Sequence, residues 1–475
     1  MAQHQSPLSA QSSCLAPHAA RKPVSARKSH KRKGLFLAAA LSGLLLSGCA
    51  DVHVLELIHP NTPPGGGGIV VADEPQAALV GRDVLARGGN AADAATATAF
   101  ALGVTLPSRA SLGGGGACLI SHPGQVEPHA VTFLPEAGSG EGDRPAAVPM
   151  MARGLYLLQL HYGAVQFSDT IDPAINLAQQ GINVSKPLAD DLAVVRGPLL
   201  DDSAALAVFG KEGDNIVNIG DLLVQTRLAS FLSRLKLVGV GDLYNGALAQ
   251  VFIDQAQKAG AGLTRDDLRN ALPSDSAALY IYEKGYRAAV LPPPADGGLG
   301  ALMALKYNIP AESAVQAWRQ SGLKTVKQAR SFMEQEHSSP TPLPPLPAST
   351  TFIVRDHAGL VVACALTDYN LFGTGRVAGT TGVVLGASPR NYPKPLLIAA
   401  ATQTTDRKVR AILTASGLNQ ASQDVADSID RLVHGKPFST SDTTRMNAII
   451  CENGRCAGMT DPHGNGLSTW TKAPH

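Results

Sequence analysis

The sequence predicts a fold of mixed helices and strands, of the α/β or α+β class. Segments with the helical spacing of apolar residues fill most of the N-terminal half, and short apolar strands joined by tight turns recur towards the C-terminus. Hydrophobic residues make up 44% of the 475-residue chain, enough for a sizeable core in one large globular unit. The net charge of +2 gives no reason to expect a nucleic-acid partner.

The predicted helices follow from this periodicity in chain order. A short strand is expected at 69–72, and the glycine pair at 88–89 should end the first helix. The second helix is rich in alanine and is expected to be buried. Helices are predicted at 77–87, 91–104, 152–162, 167–180, 186–195, 222–238, 246–259, 264–272 and 299–307.

Glycine-rich and turn-rich segments predict the strands. Four glycines at 113–116 precede a strand at 117–121. No Gly-Lys-Ser/Thr ending follows, so close backbone packing explains them better than a phosphate-binding loop. Hairpins are expected over 279–290 and over 352–366, with the second turning at 356–359.

Four of the six cysteines lie in the predicted globular part of the chain. Cys118 and Cys364 lie in apolar runs and are interpreted as small core residues. Cys451 and Cys456 flank an Asn-Gly turn, which predicts a hairpin that holds them opposite each other at a spacing that a disulfide can bridge. No histidine pair accompanies them, and no other histidine has a metal-binding spacing, so neither a metal nor a cofactor is predicted.

The N-terminus predicts export. A basic region and an apolar run at 35–46 lead to Leu46-Ser47-Gly48-Cys49, which resembles a bacterial lipoprotein processing box. We therefore expect a signal peptide at 1–48, a lipidated Cys49 and a flexible linker over 49–68. A plain signal peptide or an uncleaved anchor are the alternatives. Ala50 in place of an aspartate favours the outer membrane of a bacterial envelope, with the protein facing the periplasm.

The segment before the hairpin at 352–366 predicts self-cleavage. A proline-dense stretch at 338–348 is followed by Ser349, Thr350 and Thr351, which start a strand. In a self-cleaving N-terminal-nucleophile hydrolase, such a hydroxyl attacks the preceding carbonyl. The α-amine it releases, with an ordinary pKa of about 7.7–8.0, can then serve as a general base. The alternative is an ordinary linker followed by an ordinary strand.

Several motifs, in order from about residue 69 almost to the end, resemble the γ-glutamyltranspeptidase family. They are GGNAADAA at 88–95, LGV at 102–104, PAINLA at 173–178, PPPADGG at 292–298, FGTG at 372–375 and GMTDP at 458–462. The resemblance implies an α+β fold, namely a four-layered αββα sandwich. It also implies self-cleavage into a large-subunit-like region (69–337) and a small-subunit-like region (349–475) that stay associated, and transfer of a γ-glutamyl group to water or an amine.

Carried over residue by residue, the resemblance predicts the catalytic residues. Ser349 takes the position of the nucleophile, a slip of one residue would select Thr350, and Thr367 takes that of the supporting hydroxyl. Asn370 lies one place from an asparagine of the family's site.

The substrate-binding positions differ from the family. Asn391 stands where the family has an aspartate for the substrate α-amine, and Gly417 adjoins the position of the oxyanion glycines. Leu134 replaces the arginine that binds the α-carboxylate, and a Leu-Ile pair at 397–398 replaces two serines.

Three interpretations follow. The chain is an exported amidase of this family for a different acyl group. Or it is a γ-glutamyl hydrolase whose substrate-binding residues lie at other positions, with Arg109, Arg144 or Arg390 as the replacement. Or it is a non-catalytic envelope lipoprotein that uses the scaffold as a binding or structural module. The first two predict a small-molecule γ-glutamyl or acyl-amide substrate.

Overall fold

The structure is a computed structural model that describes residues 67–123, 125, 127–212, 215–344 and 348–472. The proposed lipidation residue Cys49 and the signal segment lie outside the described residues. Within the described ranges, no helix is long and apolar enough to cross a membrane.

Among the described residues, the α-helices lie before residue 333, apart from one near the C-terminus. They are α1 (Pro75–Ala86), α2 (Ala91–Thr105), α3 (Met151–Tyr162), α4 (Phe167–Gln180), α5 (Lys186–Leu200), α6 (Ser203–Phe209), α7 (Thr226–Val238), α8 (Val240–Asn245), α9 (Ala247–Lys258), α10 (Arg265–Asn270), α11 (Gly297–Tyr307), α12 (Ala311–Gln320), α13 (Val326–Phe332) and α14 (Ala421–Val433).

In the part of the chain that the structure describes, the strands form two large antiparallel sheets and two small ones. The strands are β1 (Ile69–Ala72), β2 (Gly115–Ser121), β3 (His129–Phe133), β4 (Ile182–Asn183), β5 (Gly210–Lys211), β6 (Asn215–Ile216), β7 (Leu222–Leu223), β8 (Ser274–Ala277), β9 (Leu279–Glu283), β10 (Tyr286–Val290), β11 (Thr350–Arg355), β12 (Val361–Thr367), β13 (Ile398–Thr404), β14 (Val409–Gly417), β15 (Thr444–Glu452), β16 (Arg455–Thr460) and β17 (Leu467–Trp470). The first sheet has the order β17-β1-β11-β12-β2-β3-β8, and the second has the order β16-β15-β14-β13-β10-β9.

The two large sheets pack face to face between two layers of helices. One core cluster lies between the sheets and contains side chains of β11, β12, β13 and β14. A second covers the outer face of the first sheet with α1 to α4, and a third covers the second sheet with α11 and α14. The predicted four-layered αββα sandwich of the α+β class is therefore confirmed.

Burial on both faces explains the composition of the central elements. Strand β12 is buried at every position and reads as a continuous apolar run instead of an alternating one. Helix α2 is buried all round, and its N-terminus carries a capping box between Asn90 and Asp93. The glycine run packs closely, as the sequence predicted, because a Cβ on Gly114 would overlap the Asp368 carboxylate.

The helices that the sequence predicted agree with the structure, apart from one first turn and from α5, which continues to Leu200. The predicted helix at 222–238 is wrong in its first turn, because Leu222–Leu223 forms β7 and pairs with β4. Pairing with β4 overrides the helix propensity of these two leucines, and the helix starts only at Thr226. Five helices were not predicted, namely α6, α8, α12, α13 and α14. Among them, α14 buries a clear apolar stripe against the second sheet.

Within the described residues, two disulfides join strands. Cys451 and Cys456 are bonded across the β15–β16 hairpin. Cys118 and Cys364 are buried core residues and are also bonded to each other, which the sequence did not predict. The pairing arises because β2 and β12 are antiparallel neighbours in the sheet and bring these two residues into register.

Candidate active site

The residues predicted to be catalytic lie at one end of the sandwich. Strand β11 starts there, and its antiparallel neighbours β1 and β12 end there. Thr350 pairs with Leu366, so Ser349 lies opposite Thr367, the last residue of β12. The structure therefore brings Ser349, Thr350 and Thr367 together.

The peptide before Ser349 is held by a side chain. The Thr367 hydroxyl donates a hydrogen bond of 2.7 Å to the carbonyl oxygen of Ala348 and accepts one of 3.0 Å from the Tyr369 backbone N–H. Ser349 is 4% exposed, and its hydroxyl has no hydrogen-bond partner among the described residues. A polarised carbonyl therefore precedes an uncommitted hydroxyl, which is the arrangement that an attack on that carbonyl requires.

The next two hydroxyls are engaged elsewhere. Thr350 Oγ1 donates to Asp73 Oδ2 at 3.0 Å, and the Thr351 backbone N–H donates to the same oxygen at 2.8 Å. Asn447 Nδ2 bridges Asp73 Oδ1 at 2.8 Å and Thr351 Oγ1 at 2.9 Å. Burial raises the pKa of Asp73, although hydrogen bonds from Thr351, Asn447 and Thr350 oppose the rise.

A second carboxylate follows Thr367 directly. Asp368 is fully buried and accepts hydrogen bonds of 3.0 Å from the Ser111 backbone N–H and of 2.9 Å from its hydroxyl. Burial raises the pKa of Asp368 to about 7, because these neutral donors compensate only in part for lost solvation. Asp368 thus helps to hold the end of β12 against the glycine-rich segment before β2.

Apolar side chains fill the positions where the family binds its substrate head group. Leu134 and Leu397 are 8% and 0% exposed and belong to the core cluster between the sheets. Nearby, buried Asp296 is paired with Arg319 through two hydrogen bonds of 2.8 and 2.9 Å. This arginine is therefore already neutralised, and its Nη2 also donates to the Pro395 carbonyl.

The predicted substrate-binding residues are spread along the loops at this end. Asn370 Nδ2 donates weakly to the Gly373 carbonyl at 3.4 Å. Asn391 is exposed, and its backbone N–H bonds to Ser388. Gly417 ends β14 with a φ of +136°, where a Cβ would overlap the Thr443 carbonyl. The structure places these three residues without joining them into one site.

The structure also defines the surroundings of the three arginines that were suggested as replacements for the family's substrate-binding residues. Arg109 forms a two-pronged ion pair with Asp191, at 2.7 Å for each prong. Arg144 donates to the Thr374 carbonyl, and Arg390 is exposed.

Sequence reasoning missed Asp73 and Asn447, which lie far apart in the chain and meet only in the sandwich. A weak signal existed for each. Asp73 directly follows a buried strand, and Asn447 interrupts an apolar one. Within the described ranges, no group of three or more His, Cys, Asp or Glu side chains is arranged to hold a metal ion.

The chain is similar in sequence to proteins of a known family. Residues 77–337 match the model of the gamma-glutamyltranspeptidase family. The glutathione hydrolase proenzyme of Escherichia coli is 28% identical over 380 residues, which cover 67% of this chain and 65% of that protein. The glutathione hydrolase proenzyme of Bacillus subtilis is 30% identical over 314 residues, which cover 59% of this chain and 53% of that protein.

Among solved structures, cephalosporin acylase from Bacillus halodurans has the same fold. Its TM-score is 0.67 at 19% sequence identity, and the match covers 86% of this chain and 97% of that one. The αββα sandwich with a hydroxyl residue at the start of a central strand defines the structural class of the N-terminal-nucleophile hydrolases. Within that class, the chain belongs to the γ-glutamyltranspeptidase family. It spans between about half and two thirds of the length of the two bacterial glutathione hydrolases.

Proposed function

We propose that this chain is an exported, lipid-anchored hydrolase or transferase that cleaves itself before Ser349. The new N-terminal hydroxyl would then hydrolyse or transfer a γ-glutamyl or related acyl group. The observation that carries the proposal is the hydrogen bond from Thr367 to the Ala348 carbonyl, beside the uncommitted Ser349 hydroxyl. Cleavage before Thr350 is less well supported, because the Thr350 hydroxyl is bound to Asp73.

The self-cleavage step balances without any added group except water. Ser349 Oγ attacks the carbonyl carbon of Ala348, and Thr367 stabilises the developing oxyanion. The C–N bond breaks as the Ser349 nitrogen takes up the proton that left Oγ, which leaves an ester. Water then hydrolyses the ester, which gives a carboxylate on Ala348 and a free amine and hydroxyl on Ser349. The same hydroxyl, with this amine as base, would attack an amide substrate.

The apolar packing around Leu134 and Leu397 disfavours some classes of substrate. A zwitterionic amino-acid head group placed there would lose its solvation without gaining charge partners, which costs several kcal/mol per ion. We therefore favour an acyl group without an α-amino-acid head on this side of β11. A panel of γ-glutamyl and simple acyl anilides distinguishes the two substrate classes.

Export and lipid anchoring are proposed from the processing box at Cys49, with the mature protein in the bacterial envelope. Metabolic labelling with a palmitate analogue tests this, since a Cys49→Ala variant should lose the label. An equal label on both proteins would contradict the anchor.

The deciding experiment is intact mass and a denaturing gel of the full chain, beside the Ser349→Ala variant. We expect two fragments in the parent, split before Ser349, and one uncut chain in the variant. The gel must be run with reductant, because Cys118 and Cys364 lie on opposite sides of the cleavage point and their disulfide would hold the fragments together. One band without reductant and two with it would show this link.

A non-catalytic envelope lipoprotein is the second candidate, and the apolar filling of the family's substrate site favours it. A single uncut chain in both proteins under reducing conditions would support this candidate and contradict self-processing.

A further inference from the structure

The end of the sandwich opposite to Ser349 carries a cluster of arginines. Strand β11 starts next to Ser349 and ends at Arg355. Arg355 and Ser121 both pair with Val361, so they lie in one row at the far end of the first sheet. Arg410, near the start of β14, reaches this row from the second sheet, because its Nη2 donates to Ser121 Oγ at 2.9 Å. The ends of both large sheets therefore meet at this cluster.

The second sheet contributes a row of polar side chains. Arg287, Gln403 and Arg410 are direct cross-strand partners on β10, β13 and β14, so their side chains lie on one face of the sheet. This is the face towards the first sheet, because Ala401 and Ile412, two residues away on their strands, belong to the core cluster between the sheets. Arg287 Nη2 donates to Gln403 Oε1 at 2.9 Å. Two guanidinium groups thus flank one amide at the point where the apolar core between the sheets ends.

Arg410 is a cation without a carboxylate partner among the described residues. Its guanidinium donates to the carbonyl of Gly359 and to the carbonyl and the hydroxyl of Ser121, which are all neutral groups. Burial and the nearby guanidinium groups of Arg355 and Arg287 lower the pKa of Arg410 to about 10. A partly buried cation beside other cations is costly unless an anion accompanies it. The cluster therefore favours the binding of an anion.

A cavity beside this row gives such an anion a place. It has a volume of about 280 Å³, and its wall includes Arg287, Arg407 and Tyr282. A narrower recess lined by Arg410 shares Arg287, Tyr282 and Gln403 with this wall. No described Asp or Glu lines either space. Since small-molecule sites start at about 300 Å³, the cavity suits a small anion.

We propose that this space binds a phosphate group, held by the guanidinium groups of Arg287, Arg407 and Arg410. A guanidinium donates two parallel hydrogen bonds to phosphate oxygens, and its planar fork matches their geometry. Three guanidinium groups offer more donors than the two oxygens of one carboxylate accept, whereas a phosphate presents more oxygens and more charge. The bound phosphate supplies the negative charge that the described part of the wall lacks.

The attachment point of the N-terminal segment indicates one source of the phosphate. Gly67 precedes β1, and its carbonyl accepts a hydrogen bond of 3.2 Å from Arg355 Nη1. The segment that carries Cys49 therefore joins the folded body at the arginine end and not at the end that holds Ser349. A lipidated Cys49 would favour phospholipid head groups as the source, and a soluble phosphate is the alternative. The head-group source rests on the proposed lipid anchor, whereas phosphate binding itself does not.

The test is isothermal titration calorimetry on the full chain in a neutral detergent. The probes are inorganic phosphate, glycerophosphoglycerol (the head group of phosphatidylglycerol without its acyl chains) and acetate. We expect a phosphate probe to bind at least about tenfold more tightly than acetate, the difference expected for one further charged hydrogen bond. The phosphate probe that binds more tightly identifies the source. Binding of neither phosphate probe, or equally tight binding of acetate, would overturn the site.

Three variants locate the phosphate. Arg287→Gln and Arg410→Gln should each weaken it by at least about tenfold, because both side chains are partly buried. Arg407→Gln should weaken it several-fold, since an exposed charge contributes less. If the two partly buried variants do not fold, the exposed Arg407 still decides the question, and unchanged binding in Arg407→Gln would then overturn the proposal.

Arg234→Gln, an exposed position on α7, is the control and should bind phosphate like the parent. An equal loss in Arg234→Gln would show that phosphate responds only to the net charge of the chain, and would overturn the site. A chain that remains uncut under reducing conditions and binds phosphate would contradict the proposed function and leave this site standing.

Discussion

The two sides of the start of β11 differ in the groups they present. On one side, Leu134 and Leu397 belong to the buried apolar core between the sheets, where the family's motif would place an arginine and serines. On the other side, Asp73, Asn447, Arg445 and Asp461 line a cavity of about 340 Å³. The scaffold that presents the strand is the same for both. The contrast shows that one strand start on a shared scaffold borders an apolar core on one side and a polar cavity on the other.

The largest expected effect concerns Thr367, which stands at the boundary between the two sides. Thr367→Val removes the hydroxyl that bonds the Ala348 carbonyl and should slow self-cleavage by about 10²–10³-fold, the usual loss for one oxyanion donor. Thr367→Ser should retain most of the rate. The measurement is the time course of fragment formation on reducing gels.

Thr414→Val serves as the control, because Thr414 is a buried strand threonine whose hydroxyl has no partner in the described part of the chain. Equal rates in Thr367→Val and the parent would show that the carbonyl needs no support from this residue.

Truncating a side chain on the apolar side should destabilise the fold, as a substitution in a packed core does. Leu397→Ala should lower the free energy of unfolding by about 2–5 kcal/mol, because it leaves a cavity between the sheets. Arg445→Gln, on the charged side, should change it by no more than about 0.5 kcal/mol. Urea unfolding of both variants checks this difference. A small effect for Leu397→Ala would mean that the apolar side is open to ligands instead of filled.

The sequence was sufficient for most of the fold and for the position of the strand start. Helical periodicity located most helices, and the proline-rich segment followed by Ser349 marked the start of a buried strand. The sequence could not show which residues that lie far apart in the chain come into contact. Asp73 and Asn447 meet Thr351 from different strands, and Cys118 meets Cys364 across neighbouring strands of a sheet whose order was not readable from one chain.

The residues that the resemblance assigned to the site differ in how well the structure brings them together. Ser349, Thr350 and Thr367 come together because the antiparallel register of β11 and β12 fixes them. Asn391 lies in an exposed loop, where no strand register constrains its place, and the structure does not join it to them.

The Asp73 carboxylate connects the charged side to β11, so its replacement should lower the free energy of unfolding. In Asp73→Asn, the amide cannot accept from both Thr351 and Asn447, so one donor loses its partner. We expect a loss of about 1–3 kcal/mol in the free energy of unfolding, the cost of leaving a buried donor unsatisfied. Asp254→Asn, at an exposed helical position, is the matched control and should be near neutral. A neutral Asp73→Asn would show that the network does not hold the strand start.

The last prediction concerns Asp368, the buried carboxylate that follows Thr367, and how it makes the free energy of unfolding depend on pH. Burial raises its pKa to about 7 in the folded chain, against about 3.9 for an unfolded aspartate. The folded state therefore holds a proton that the unfolded state has lost between these two values. The contribution of Asp368 to the free energy of unfolding is fully present below about pH 4. It is lost as the pH rises through about 7, at up to roughly 1.4 kcal/mol per pH unit.

Asp368→Asn removes this titration while it keeps the shape of the side chain. The difference in the free energy of unfolding between the parent and Asp368→Asn should therefore shift against the parent as the pH rises from 5 to 7, and should level off above that range. Urea unfolding in matched buffers measures it. Parallel curves for the two proteins would mean that the hydrogen bonds from Ser111 keep Asp368 ionised in the fold. A fixed negative charge would then lie next to Thr367, where it would oppose the oxyanion that self-cleavage has to form.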